Sequence, residues 1–327
     1  MSVPQFHNQN TLDQLEPNLL NIARMWGGKQ SKNRSRSRQS LYIFLLLFDR
    51  IEEKQFNFVS NNEEDMRKTA LITGASKGIG KELARLLAKK GCNLVLVARS
   101  SEYLTRLKEE LEDQYGVEVR VIVKDLCEAD APKEVFDEVK QAGIRIDYLI
   151  NNAGFGDWGR FMDKPWERYK TMIELNTMAL TYFMHLYVNE WKGKQGGKIL
   201  NIASTAAFQP GPMMAVYFAT KSYVLQLSEA LNHELGEEGT SVTVLCPGPT
   251  STYFGEESGM SASRLVKNVK IARASDVARL GYDAMMKGKP VAIHGAMNKI
   301  APFAIRFFPR KWVTHLSARV MRLPKKR

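Results

Sequence analysis

Cysteine is scarce in this chain: Cys92, Cys127 and Cys246 are the only three in 327 residues, and no C-x-x-C spacing occurs. That excludes a disulfide scaffold or a thiolate metal site and points to free thiols in a reducing compartment, with no metal expected. Long apolar runs are also missing near the start. The longest there, residues 41–48, stops after eight residues at Asp49 and Arg50, far short of the roughly 20 that span a bilayer. A basic stretch precedes it, but its distance from the start and the lack of a small-residue cleavage site argue against export, so a cytoplasmic protein is expected. Acid is absent where base is abundant. Residues 298–327 hold nine Lys and Arg and no Asp or Glu, so the formal charge of +12 leaves only +3 for the rest of the chain. With no zinc-finger spacing, RNP-like motif or basic recognition helix, nucleic-acid binding is excluded.

What is present divides into three parts. Residues 1–65 are rich in Asn and Gln without sustained periodicity and read as a poorly ordered extension. Met66 stands directly before the first strong strand pattern, which makes it the expected native start. From there to residue 297, apolar runs such as "TALITG", "NLVLVAR", "VEVRVIV", "GKILNIAS" and "PVAIHG" alternate with amphipathic helical stretches. Continuous apolar strands alternating with helices require a sheet covered on both faces. The expected fold is therefore α/β: one Rossmann-like doubly wound parallel sheet of about seven strands flanked by helices. Residues 298–327 mix Phe, Trp and Leu with the nine cations. They form a basic amphipathic tail, suited either to peripheral contact with an anionic membrane surface or to packing its apolar side on the domain.

The segment from Thr73 to Gly80 supports two chemistries. Gly74, Gly78 and Gly80, with Ser76, Lys77 and Ile79 between them, fit a strand-to-helix turn that cradles phosphate on unpaired helix amides. Gly74 to Gly78 also fits the G-x-S-x-G elbow of a serine hydrolase, with Ser76 as nucleophile and His233, His294 or His315 as partner. The second strand ends at Arg99, where a free ribose 2'-hydroxyl calls for a carboxylate. A guanidinium there suits a 2'-phosphate, with Lys77 adding a second charge, so NADPH is favoured over NADH.

Tyr217 and Lys221 lie four residues apart in a helical stretch, hence on one face. A phenol with a pKa near 10 is a poor acid at neutral pH, and a nearby ammonium is expected to draw that value down. Ser204 closes the fifth strand, where its hydroxyl points into the crevice at the carboxyl edge of the sheet.

These residues, taken in order, give the chain a resemblance. From Lys68 to Gly295 it resembles the short-chain dehydrogenase/reductase family: Thr73-Gly74-x-x-x-Gly78-x-Gly80, Asp125-Leu126, Asn151-Asn152-Ala153-Gly154, Asn176, Ser204, Tyr217-x-x-x-Lys221 and Pro247-Gly248 occur in register. The resemblance implies an NADPH-dependent oxidoreductase of carbonyl reductase type, interconverting a carbonyl and a secondary alcohol. Tyr217 is then the acid/base, Ser204 polarises the substrate oxygen, Lys221 binds the nicotinamide ribose and tunes Tyr217, and Asn176 holds a relay water. Asp125 and Leu126 meet the adenine, Asn152, Ala153 and Gly154 support the cofactor ribose, and Pro247, Gly248 and Thr250 close over the nicotinamide. Substrate choice falls to residues 251–271, where Phe254, Met260, Leu265 and Val266 suggest a hydrophobic or acyl-type carbonyl. The nearest groups by resemblance include 3-oxoacyl and hydroxysteroid reductases. A homodimer or homotetramer is implied, paired through the helices carrying Asn176 and Tyr217. A hydrolase at Ser76, or a noncatalytic dinucleotide-binding protein, is the alternative.

Overall fold

The computed structural model describes residues 67–194, 196–252, 258 and 271–321, four of them (296, 297, 301 and 303) by their backbone alone. The expected extension over residues 1–65, and Phe254, Met260, Leu265 and Val266 of the expected substrate loop, lie outside the described residues.

The strands are β1 (Thr69–Thr73), β2 (Asn93–Ala98), β3 (Val119–Val123), β4 (Tyr148–Asn151), β5 (Lys198–Ile202), β6 (Ser241–Cys246), the short pair β7 (Thr250–Ser251) and β8 (Ala272–Arg273), and β9 (Val291–Ile293). Seven of them form one sheet in the order β3-β2-β1-β4-β5-β6-β9. All its pairs are parallel; Leu71 at the centre faces Val95 on one side and Leu149 on the other. The helices are α1 (Gly78–Lys89), α2 (Ser101–Tyr115), α3 (Ala131–Gln141), α4 (Trp166–Ile173), α5 (Leu180–Trp191), α6 (Ala215–Glu234), α7 (Ala274–Met286), α8 (Ala296–Ala304) and α9 (Arg310–Met321).

Apolar residues alternate between the two faces of each strand, which is why the strands read as unbroken apolar runs. Ala70 and Ile72 of β1 pack with Leu83 and Leu87 of α1, Leu104 of α2 and Val277 of α7. Leu71 between them points the other way, into a layer with Val139 of α3, Phe183 of α5 and Val224 of α6. The sheet order reverses direction after β1, so the crevice for a ligand opens at the carboxyl ends of β1 and β4.

Two features depart from a regular reading. The long helix from Trp166 to Trp191 is broken by a π-turn at Glu174–Ala179. The hydroxyls of Thr177 and Thr181 donate to the carbonyls of Ile173 and Thr177, taking up acceptors in the widened turn. At the other end of the chain, α9 is held to the domain: Met321 is 2% exposed, and Trp158 Nε1 donates to its carbonyl at 3.1 Å. Among the described residues, no helix is long and apolar enough to cross a membrane.

Candidate active site

The turn after β1 is built by glycine and held by Asn152. Gly74 and Gly78 have φ of +64° and +57°, a region that side-chain-bearing residues rarely adopt. Asn152 Nδ2 donates to the carbonyls of Thr73 at 2.9 Å and Gly74 at 3.0 Å, while the amides of Asn152 and Ala153 both donate to Thr73 Oγ1. Strand β4 thereby fixes the shape of the turn. The N-cap residue Lys77 makes no side-chain capping hydrogen bond to α1, and a helix N-terminus of this kind suits an anion.

Gly80 differs from the other two glycines. A Cβ there would stand 2.4 Å from both Asn152 Nδ2 and the Gly74 carbonyl. Of the expected cofactor residues it alone does not line the cleft; its lack of a side chain lets α1 pack on the turn. Helix propensity favours Gly80→Ala by about 1 kcal/mol, yet a clash with a backbone oxygen costs about 1–3 kcal/mol. The clash wins, so the variant is expected to melt several degrees lower in a calorimetric scan; an unchanged or raised Tm would contradict this packing role.

The chemistry converges at β5 and α6. Ser204 follows β5 in extended conformation, and its Oγ accepts from the Ala206 amide at 3.1 Å. A side-chain hydrogen bond joins it to Tyr217. Tyr217 and Lys221 are 8% and 5% exposed, and the Lys221 ammonium lies 5.9 Å from the Tyr217 ring centroid. The expectation that Lys221 lowers the phenol pKa is not met. Burial pushes Tyr217 up to about 12, with the Ser204 hydrogen bond pulling the other way. Burial also drops Lys221 to about 8, and its amine donates to the Ile202 carbonyl at 2.8 Å rather than to the phenol. Desolvation is the largest cause of both shifts because both groups are out of water.

Asn176 sits in the π-turn, 1% exposed. Its Oδ1 accepts from the Phe155 amide at 3.0 Å, and its Nδ2 donates to the Phe155 carbonyl at 2.9 Å and to Thr220 Oγ1 at 3.1 Å. The Asn176 side chain thus ties the loop after β4 to α6. Gly154 lets this happen, since a Cβ there would meet Asn176 Oδ1 at 2.9 Å and Lys221 Nζ at 3.4 Å.

At the β2–β3 end, Arg99 is exposed and lies 3.9 Å from Asp125. Lys77 stands over the Tyr103 ring at 4.7 Å. Leu126 is buried beside them. On the opposite side, Thr250 Oγ1 donates to the Gly248 carbonyl at 2.9 Å. Gly248 itself is needed bare, because a Cβ would lie 2.4 Å from Asn298 of α8.

One cleft of about 1160 Å³ joins these groups, from Lys77, Arg99 and Asp125 through Gly74, Ser76, Ile79, Ala153 and Gly154 to Ser204, Tyr217, Lys221, Pro247 and Thr250. That Ser76 lines it does not make a nucleophile: no hydrogen bond joins Ser76 to a histidine among the described residues, and its backbone lacks the strained positive φ of an elbow. Sequence reasoning missed the apolar half of the cleft. Phe208, Met214 and Phe218 line it from around α6, and Phe308, Trp312, Leu316 and Val320 from the C-terminal helices. The periodicity of α9 carried a signal, since residues 312, 316 and 320 recur every four, but nothing local in it says what that stripe covers.

Comparison with known proteins agrees with this arrangement. A family model described as short chain dehydrogenase matches residues 68–261. The chain is 32% identical over 241 residues to the very-long-chain 3-oxoacyl-CoA reductase of Anas platyrhynchos, covering 71% of this chain and 75% of that one. It is 30% identical over 192 residues to the 7beta-hydroxysteroid dehydrogenase of Collinsella aerofaciens, covering 59% of this chain and 72% of the relative. A solved short-chain dehydrogenase from Sphingobium yanoikuyae in complex with NADPH superposes with a TM-score of 0.66 at 33% identity, over 73% of this chain and 93% of that chain.

Proposed function

The chain belongs to the short-chain dehydrogenase family, and from that premise we propose that it is an NADPH-dependent oxidoreductase interconverting a hydrophobic carbonyl compound and its secondary alcohol. The observation that carries this reading is the meeting of Ser204, Tyr217 and Lys221 with the glycine turn in one cleft.

A nicotinamide dinucleotide, when bound, supplies or accepts the hydride. The chain's own residues fit such a group. The turn at Gly74 and Gly78 and the start of α1 suit its pyrophosphate, Leu126 and Asp125 its adenine, and Gly154 and Lys221 the nicotinamide ribose. In reduction, Tyr217 gives its phenolic proton to the oxygen that gains charge as hydride arrives at carbon. Ser204 donates a hydrogen bond to the same oxygen, and the Lys221 ammonium offsets the charge left on Tyr217. All three interactions strengthen as the oxygen becomes anionic, so they lower the barrier rather than merely bind substrate. A phenol held near 12 is protonated at neutral pH, as the reductive direction requires. Asn176 serves as a positioning residue through Phe155 and Thr220. Tyr217→Phe, assayed for NADPH oxidation against a carbonyl panel, tests the assignment.

Arg99 and Lys77 support the choice of NADPH, because two cations flank the place where an adenosine ribose would lie. Arg99 is well exposed, so each cation is worth on the order of tenfold rather than the full strength of a buried phosphate contact. The double variant Arg99→Asp/Lys77→Ser should cut the ratio of kcat/KM for NADPH over NADH by about a hundredfold. An unaltered ratio would overturn the cofactor assignment. Pairing of subunits through α5 and α6 is supported by exposed Met178 beside one and Tyr223 on the other, bridged within the chain by Thr181 Oγ1 and the Tyr223 hydroxyl at 3.0 Å. The C-terminal cations favour peripheral attachment to an anionic membrane surface.

A further inference from the structure

The cleft has two ends of opposite chemistry. At the carboxyl ends of β2 and β3 it is lined by Lys77, Arg99, Lys124 and Asp125; beyond β5 and β6 it is roofed by Phe308 and by apolar residues of α9. Phe308, Trp312, Leu316 and Val320 line the cleft there and are at the same time 54%, 67%, 62% and 38% exposed. They form the rim of the mouth, in water on one side and facing the cleft on the other. The spacing of 312, 316 and 320 makes a single stripe along α9, whereas Ser317 and Met321, 5% and 2% exposed, hold the adjoining face to the domain. The helix therefore carries more apolar surface than its packing uses.

Exposed large apolar side chains recur along this segment. Ile300 and Phe307, 59% and 74% exposed, precede this stripe on the same C-terminal segment. A contiguous apolar patch of this kind on a water-exposed rim marks a binding surface. Its charge says what binds. Lys299, Arg306, Arg310, Lys311 and Arg319 lie in the same segment, and the last acidic residue in the chain is Asp283. Among the described residues no carboxylate pairs with any of the five. Large aliphatic and aromatic side chains edged by Arg and Lys, whose stems reach past apolar surface to place their charge at the headgroups, match an anionic phospholipid interface.

We propose that the outer stripe of α9 docks on an anionic phospholipid surface, so that the mouth of the cleft opens onto the lipid and the substrate is an apolar-bodied ketone or alcohol drawn from the membrane phase. The substrate part of this proposal rests on the carbonyl reductase reading, while the docking part stands on the surface alone. Such an arrangement separates the two traffics: a water-soluble dinucleotide enters at the charged end, and a poorly soluble carbonyl compound enters at the apolar end without crossing water.

The test uses the full chain with phosphatidylcholine vesicles prepared with and without phosphatidylserine. Wild type is expected to sediment with the phosphatidylserine vesicles and to remain largely in solution with phosphatidylcholine alone. Arg310 and Lys311 are exposed and do not line the cleft. Each cation beside such a surface strengthens binding by about fivefold, so Arg310→Gln/Lys311→Gln should weaken vesicle binding by about 25-fold. Turnover of a water-soluble ketone should be unchanged in that variant, and turnover of a long-chain ketone carried in the vesicles should fall in step with binding. For wild type, the rate on the vesicle-borne ketone should follow its surface mole fraction rather than its bulk concentration. Vesicle binding that ignores phosphatidylserine or the double variant, or a rate that follows bulk concentration, overturns the proposal. So does capture of an acidic carrier protein by this face with no vesicle binding. Loss of turnover on every ketone, soluble ones included, with vesicle binding intact, would instead strike the carbonyl reductase reading.

Discussion

Replacing Tyr217 by phenylalanine should lower kcat by about 10³-fold while leaving the fold and the affinity for NADPH in place. The size of the effect follows from what is removed. The ring stays, packed with Met172, Met214, Phe218 and Met321, so little packing is lost. What goes is the hydroxyl that, on the proposed mechanism, delivers a proton to an oxygen becoming anionic. A positioned general acid contributes about 10²–10⁴-fold, and the hydroxyl hydrogen-bonded to Ser204 is also part of the donor set for that oxygen. Stopped-flow measurement of NADPH oxidation, with cofactor binding followed separately by fluorescence, distinguishes the cases. Activity within tenfold of wild type would remove Tyr217 from the role of acid.

The second large effect is expected at Lys221. Its Nζ is buried, held to the Ile202 carbonyl at 2.8 Å, and its pKa is lowered to about 8. Below pH 8 the amine is charged and able to offset a tyrosinate; above it the charge is lost and the barrier to reduction rises. The sign is therefore fixed: kcat/KM for reduction should be level at neutral pH and fall as pH rises through about 8. Tyr217, held at about 12, contributes no limb in that range. Lys221→Met preserves the stem and its packing but removes the cation, and should cost about 10²-fold in kcat/KM together with loss of the limb near pH 8. Arginine is not expected to restore activity, because the position of a Cβ on Gly154 is already 3.4 Å from Nζ and a guanidinium needs more room. A variant that kept the limb would assign it to another group.

Much of the fold was legible because its signals are local. A strand buried on both faces must be apolar throughout, and such runs alternating with amphipathic helices leave a parallel sheet as the consistent solution. The glycine turn was readable for the same reason: positive φ at Gly74 and Gly78 is a demand on single residues. The Tyr217–Lys221 spacing was visible as one helical turn, but its electrostatics were not. Spacing states that two groups share a face, whereas the balance between desolvation and attraction depends on everything packed around them. Likewise Asn176 was found by its place in a motif, while its partners Phe155 and Thr220 reach it from elsewhere in the chain.

Sequence alone determined the layered α/β architecture, the glycine turn after β1 and the identity of the groups that meet at β5 and α6, since each is written in periods of two to four residues. The tertiary structure decided that α9 roofs the cleft, that the long helix widens into a π-turn at Asn176, and that Lys221 is the group of lowered pKa. The physical reason is range. Trp158 and Met321 are 163 residues apart in the chain yet joined by a hydrogen bond, and no local pattern of apolar and polar residues specifies which distant surface an amphipathic helix will cover.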